Sequence, residues 1–451
     1  MGIASRTRRA LGLAMVAAVT TALSTAAFAM PAAAQGAGGE KPKAAEVGVS
    51  ADEIRIAVIS DDENPLAPGL FHGPAVAVKA FGRYMNAHGG LAGRKVAVDV
   101  LDSHLSADDA RNAIIKACSE DFAVVGTAAL FLNNMDDAIA CKDLAGAATG
   151  LPDLASVSTE QVEQCSPVTF GVNPPQLVCA TKDKSPQTFR QNRGPIKYYR
   201  SHIAKNLHGV FIYSNDLKSA EIGSLSLARG AQAGGVKADD EIGVSARAPQ
   251  SSYTPAAQAL KDSGANYAAN TTAFNSGVAF HKEAKLQGVS SAGMVWDCWS
   301  NCYDKRFIEQ GGADVEGQYL QLQQVPFEEA KTNRALADYI KFAGKDGVDG
   351  FGAYAWLAGL LLRDSVNAIV ERDGVNGVTR AALLEQLKST HAFTGDGMYG
   401  AVDIGNKVPT SCFILMQVKQ ARFTRVYPKK PGTFDCAKSN TVEFTANLLG
   451  T

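Results

Sequence analysis

The chain has no excess charge of either sign. Its 451 residues carry 44 Lys and Arg against 45 Asp and Glu, a net charge of −1. This argues against a nucleic-acid partner, whose phosphates call for a basic face. Histidine is scarce. The seven histidines, His72, His88, His104, His202, His208, His281 and His391, are scattered with no pair at metal-ligand spacing, so no metal is expected. There is no Gly-x-Ser-x-Gly elbow, no His-Glu-x-x-His and no Gly-x-x-x-x-Gly-Lys-Ser/Thr loop. The commonest signatures of hydrolases, zinc proteases and nucleoside triphosphatases are therefore missing, and neither a catalytic residue nor a cofactor is expected. Past the N-terminal segment, no apolar run reaches the roughly 20 residues of a membrane helix. The segment 353–362 is too short and ends at Arg363-Asp364; it reads as a core helix. No repeat of solenoid length is present.

What the chain does contain is clearest between Phe71 and Thr127. Val76, Ala80, Phe81, Tyr84 and Met85 recur at helical spacing, and the helix is expected to stop at His88-Gly89-Gly90, where glycine accepts a left-handed cap. Val96 to Val100 alternates as a strand. A second amphipathic helix leads to Phe122-Ala123-Val124-Val125-Gly126, a short apolar run of the kind buried in parallel sheets. Strands separated by helices predict βαβ units and an α/β fold, with ligands held at the carboxyl ends of the strands.

The N-terminus reads as a targeting segment. Arg6, Arg8 and Arg9 precede a small apolar stretch with plausible cleavage sites at Ala27-Phe28-Ala29 and Ala32-Ala33-Ala34, so residues 1–34 are expected to be an export signal, of Sec or twin-arginine type. No cysteine lies beside either site, and no lipid anchor is indicated. Residues 35–52 are expected to be a flexible tether. Removing three arginines moves the net charge from −1 to −4. About 415 residues remain, above the usual single-domain range, so two lobes are expected.

Export agrees with the cysteines. Cys118, Cys141, Cys165, Cys179, Cys298, Cys302, Cys412 and Cys436 form an even set, which favours disulfides. Eight cysteines allow about 105 pairings. Sequential pairs are preferred here, because each flanks one supersecondary unit. A metal at Cys298-Trp299-Ser300-Asn301-Cys302 is the rival for one pair, although zinc usually needs four ligands and no histidine is near.

Several motifs carry a family resemblance. The run from Tyr84 to Arg94 (YMNAHGGLAGR), followed by a strand, Asp102, a helix and Val124-Val125-Gly126, resembles the type I periplasmic solute-binding proteins, in particular the branched-chain amino-acid-binding group. Tyr253 to Lys261 with Ala265-Asn266-Tyr267, Phe351 to Leu360, and Phe393 to Gly400 are similar to later parts of the same family. The resemblance runs from about Ile54 to Tyr427. It implies two Rossmann-like lobes with parallel central sheets, joined by a three-segment hinge. Lobe 1 would comprise 53–175 and 325–401, and lobe 2 would comprise 176–324 and 402–451. It also implies a monomer that captures a small molecule by closing the hinge and delivers it to an ABC-transporter permease. A ligand-sensing or scaffold protein of the cell envelope with the same fold is the alternative.

Strand-end loops should supply the ligand site. The loop 60–71 holds Asp61, Asp62, Glu63, Phe71 and, just beyond it, His72; the three acids read as a solvated cluster. By resemblance, Val157 (through its backbone) and Thr159 would grip a ligand head group, and Asp297 would pair with a ligand ammonium. One departure is plain. Where amino-acid receptors place a serine for the ligand carboxylate, this chain reads Ala128-Ala129-Leu130-Phe131, with Thr127 as the nearest hydroxyl. The ligand is therefore expected to be an amino acid or a larger, more apolar or aromatic compound, with Phe71, Leu130, Trp296 and Trp299 as apolar or aromatic walls.

Overall fold

The computed structural model describes residues 40–63, 69, 71–344 and 347–448. The expected export signal lies outside the described residues. In the first lobe, β1 (Glu53–Ser60) pairs in parallel with β2 (Lys95–Asp102) and β3 (Ala123–Val125), and β3 pairs in parallel with β4 (Asp153–Leu154). The order is β2-β1-β3-β4. Helix His72–Ala87 buries Ala75, Val78, Phe81 and Met85 on one face. It lies against helix Gly350–Asp373, whose first three turns are buried almost all round. The close approach needs Gly359, where a Cβ would meet the Phe81 ring at 2.5 Å; Phe81 then packs edge-on to Trp356.

In the rest of the chain, β5 (Gln187–Asn192) stands apart from the second lobe's main sheet. That sheet contains β6 (Leu207–Ser214), β7 (Val236–Val244), β8 (Tyr267–Asn270), β9 (Val295–Cys298), β10 (Tyr319–Leu322), β11 (Ile414–Val418) and β12 (Phe423–Tyr427). Its order is β12-β11-β10-β9-β8-β6-β7, parallel from β7 to β10 and antiparallel at β11 and β12. Alternation along β6 sends Val210 and Ile212 into one apolar layer and Leu207 and Phe211 into the other. The separate strand β5 pairs antiparallel with β13 (Thr441–Ala446).

Three segments join the lobes. Val172 is buried in the first lobe, whereas Leu177 packs with β5 and the C-terminal Leu448. Leu322 belongs to the second lobe and Val325 to the first. Val402 and Ile404 are still buried in the first lobe, and Phe413 in the second, so the last passage falls after residue 404 rather than at 401. Two of these passages brace each other: Gln324 bridges Tyr399, and the Tyr399 hydroxyl donates to Gln323 Oε1 at 2.6 Å.

Residues 40–52 are not a loose tether. Val49 is 2% exposed within the first lobe's core. The Glu46 carboxylate accepts the amides of Val47, Leu144 and Arg380. Those amides and the apolar pocket for Val49 repay the entropy of ordering the segment.

All four sequential cysteine pairs are joined: Cys118–Cys141, Cys165–Cys179, Cys298–Cys302 and Cys412–Cys436. Beside the first lies Arg380, fully buried. Its guanidinium donates to the carbonyls of Cys118, Asp121, Phe122 and Lys142. Cys118 and Asp121 flank the C-terminus of helix Ala107–Glu120, where carbonyls lack helical partners and a cation is favoured. Replacing Arg380 by Met strands several buried acceptors. We expect R380M to lose about 3 kcal/mol of stability, measured by denaturant unfolding of the oxidised protein; a loss under about 1 kcal/mol would show that water replaces the guanidinium.

Candidate functional site

The carboxyl ends of the strands in both lobes face one cavity of about 700 Å³, within the usual range for small-molecule sites. The first lobe contributes Leu130 and Phe131 after β3, and Val157 to Glu160 after β4. The second contributes Ser214 at the end of β6 and Asp216 to Ser219 after it, Thr271 to Ala273 after β8, and Trp299 to Asn301 after β9. Phe351 and Tyr354, from the start of the long helix, also line it. The lobes touch at its edge: Leu217 packs with Phe71, Leu130 and Val157, and the Ser219 hydroxyl donates to the Leu130 carbonyl at 3.5 Å.

A buried carboxylate organises the first lobe's loops. Asp61 is fully buried, contrary to its reading as part of a solvated cluster. It accepts from the Ser103 hydroxyl at 2.7 Å, the Leu105 amide at 2.8 Å and the Leu130 amide at 2.7 Å. The backbone N–H after β3, the natural donor for a ligand anion, is thus already taken by the protein's own carboxylate. Asp62 pairs with His72 at 2.5 Å.

Of the expected ligand residues, Leu130, Val157, Thr159 and Trp299 lie on the cavity wall. Thr159 donates to the Leu130 carbonyl at 3.4 Å, linking the β3 and β4 loops. The other expected residues are displaced from the wall for definite reasons. Phe71 sits one layer behind, packed on Phe351 with ring centroids 5.1 Å apart. Ala129 is buried in the first lobe's core. Thr127 turns inward and donates to Asp153 at 2.5 Å. Trp296 is part of the second lobe's core, 4.0 Å from the His281 ring and edge-on to Phe280.

Asp297 is the largest correction. It is 1% exposed and faces the layer containing Tyr199 and Tyr267. Both tyrosine hydroxyls and the Gln321 amide donate to it, at 2.8, 2.6 and 2.7 Å. Its acceptors are occupied within the protein, so it does not meet a ligand ammonium. The reason lies in the length of β9. The strand runs to Cys298, so Trp296 and Asp297 lie inside it and the strand-end loop begins only at Trp299.

Other wall residues carry no direct mark in the amino-acid pattern. Asp216 follows β6 and is held by the Ser245 hydroxyl and the Ala246 amide; its place after an apolar strand was the available cue. Glu160 also lines the cavity, and burial raises its pKa. Among the described wall residues, Lys218 is the one cation, and it lies 3.5 Å from Glu221.

Burial pushes the Asp297 carboxyl up to about 6, against the pull of its three donors. The folded protein therefore holds this proton more tightly than the unfolded chain, where the value is near 3.8. The stability it contributes is complete below about pH 4 and is lost as pH rises through 6. Asn mimics the protonated form, so D297N should gain on the native protein between pH 4 and pH 7, by up to about 3 kcal/mol. Denaturant unfolding at the two pH values reads this out. A difference that stays constant or runs the other way would refute the assignment.

The periplasmic binding protein family matches residues 53–422. Among solved structures, the chain is similar to a leucine-binding protein from Thermotoga maritima at 15% identity, covering 83% of this chain and 97% of that one with a TM-score of 0.62. An ABC-transporter substrate-binding protein from Aeropyrum pernix matches at 12% identity, with 86% and 97% covered and a TM-score of 0.66. A fatty acid ABC-transporter substrate-binding protein from Thermomonospora curvata matches at 14% identity, with the same coverage and a TM-score of 0.64. No curated protein matches in sequence. With its two α/β lobes and a cavity at their strand ends, the chain belongs to the periplasmic binding protein family.

Proposed function

We propose that the protein is an exported receptor that captures a small molecule between its lobes and delivers it to an ABC-transporter permease. The observation that carries this reading is the cavity of about 700 Å³ walled by strand-end loops of both lobes. A ligand there touches both halves at once, so its binding energy favours the closed arrangement over any open one. Bracing of two linking segments through Gln324 and Tyr399 suits a hinge that bends without unfolding. No bond is made or broken in this scheme, and the protein acts as a monomer. The neighbouring structures include a leucine-binding protein and a fatty acid ABC transporter's substrate-binding protein.

Thermal unfolding of the oxidised protein against amino acids, quaternary amines, aromatic acids and neutral lipids provides the test. A ligand at about a hundred times its dissociation constant adds about 2.7 kcal/mol, a rise of a few degrees. Small-angle scattering should then show a smaller radius of gyration with the same compound. No shift from any class, after bound molecules have been stripped by unfolding and refolding with the disulfides intact, would count against a receptor.

A further inference from the structure

The cavity does not end at the strand-end loops. Its wall continues along helix Lys218–Ala233 through Ser219, Ile222, Gly223, Ser226 and Leu227. These positions, at helical spacing, make one continuous face. From Ser219 to Leu227 the helix advances about 12 Å. A small amino acid would leave part of that length unfilled. Pro175, Leu177 and Phe189 also line it, the last two in one apolar cluster with Ile222 of the helix and with Leu448 and Phe444 from the end of the chain. At the inner end is Gln191, 7% exposed, on the cavity wall, with no partner for its side-chain nitrogen among the described residues. A buried amide without a partner is costly, and an acceptor supplied by a ligand relieves it.

We infer that this inner chamber accepts the apolar body of an elongated ligand, with Gln191 donating to an oxygen at its leading end. The chamber has this role only if the cleft is a ligand site, the reading proposed above. The head-group chemistry agrees. The Leu130 amide is committed to Asp61, and Lys218 lies beside Glu221, so the site offers a zwitterion little to hold its carboxylate. The ligand class is a chain-like, mainly apolar molecule bearing a hydroxyl or carbonyl oxygen.

Hexanol, octanol and decanol, the straight-chain primary alcohols, serve as probes, with L-leucine for comparison, followed by calorimetry or Trp299 fluorescence. Affinity should rise about fourfold per added methylene, the equivalent of about 0.8 kcal/mol. Gly223 supplies a fold-preserving block: a Cβ there meets nothing within 4 Å, and leucine is the better helix former. G223L should unfold at the same or a higher temperature and should abolish the dependence on chain length. Q191L should weaken every alcohol by about fivefold to tenfold and leave that dependence intact. Alcohol affinity independent of chain length, or G223L binding decanol as the native protein does, would overturn the chamber. Tight leucine binding unaffected by G223L would overturn it too, and would leave the receptor reading standing. If neither the alcohols nor any member of the wider panel bound, both readings would fail together.

Discussion

The first lobe's half of the cleft depends on one buried carboxylate. Asp61 holds the loops after β1, β2 and β3 together, through its own backbone, Ser103 and Leu105, and Leu130. Three parallel strands by themselves leave their end loops free to choose among many conformations. A buried acceptor with three donors selects one, because any loop that leaves exposes an unpaired donor or acceptor in a water-poor interior. The same contact has a chemical consequence: it fills an anion-binding position with part of the protein. Fixing the loop and withdrawing its amide from the ligand are two results of one interaction.

From that fixed edge the cleft is built outward. Thr159 and Ser219 both donate to the Leu130 carbonyl, one from the same lobe and one from the other. Leu217 brings an apolar contact from the second lobe to Phe71 and Val157. One place where the lobes meet is thus a residue whose amide and carbonyl are both in use. The wall that remains for a ligand is largely hydroxyls, carboxamides and apolar side chains. Such a wall selects by shape and hydrogen bonding more than by charge.

The fold was largely legible from sequence. Helical spacing in Val76 to Met85, the glycines after it, the alternation from Val96 to Val100 and the apolar run ending at Gly126 predict βαβ order, and the first helix, β2 and β3 lie where those signals place them. The site was legible only in part. Leu130, Val157, Thr159 and Trp299 were found because they follow strands. Trp296 and Asp297 were misplaced because a strand's last residue leaves no compositional mark, and two residues decide whether a side chain faces a core or a cleft. Strand β5 was invisible for another reason. Its inward positions are Gln187, Phe189 and Gln191, so the apolar alternation that announces a strand is missing. Val49 and Glu46 were hidden in a polar, glycine-containing segment whose partners lie far along the chain.

The pairing of β5 with β13 gives the end of the chain an unexpected importance. The family match stops at residue 422, yet β13 lies at residues 441–446 and hydrogen-bonds the strand that carries Phe189 and Gln191. The family match thus ends short of a strand that supports one wall of the cavity. Change confined to the last few residues of the chain can therefore reshape that wall while the strand order of both lobes stays as it is.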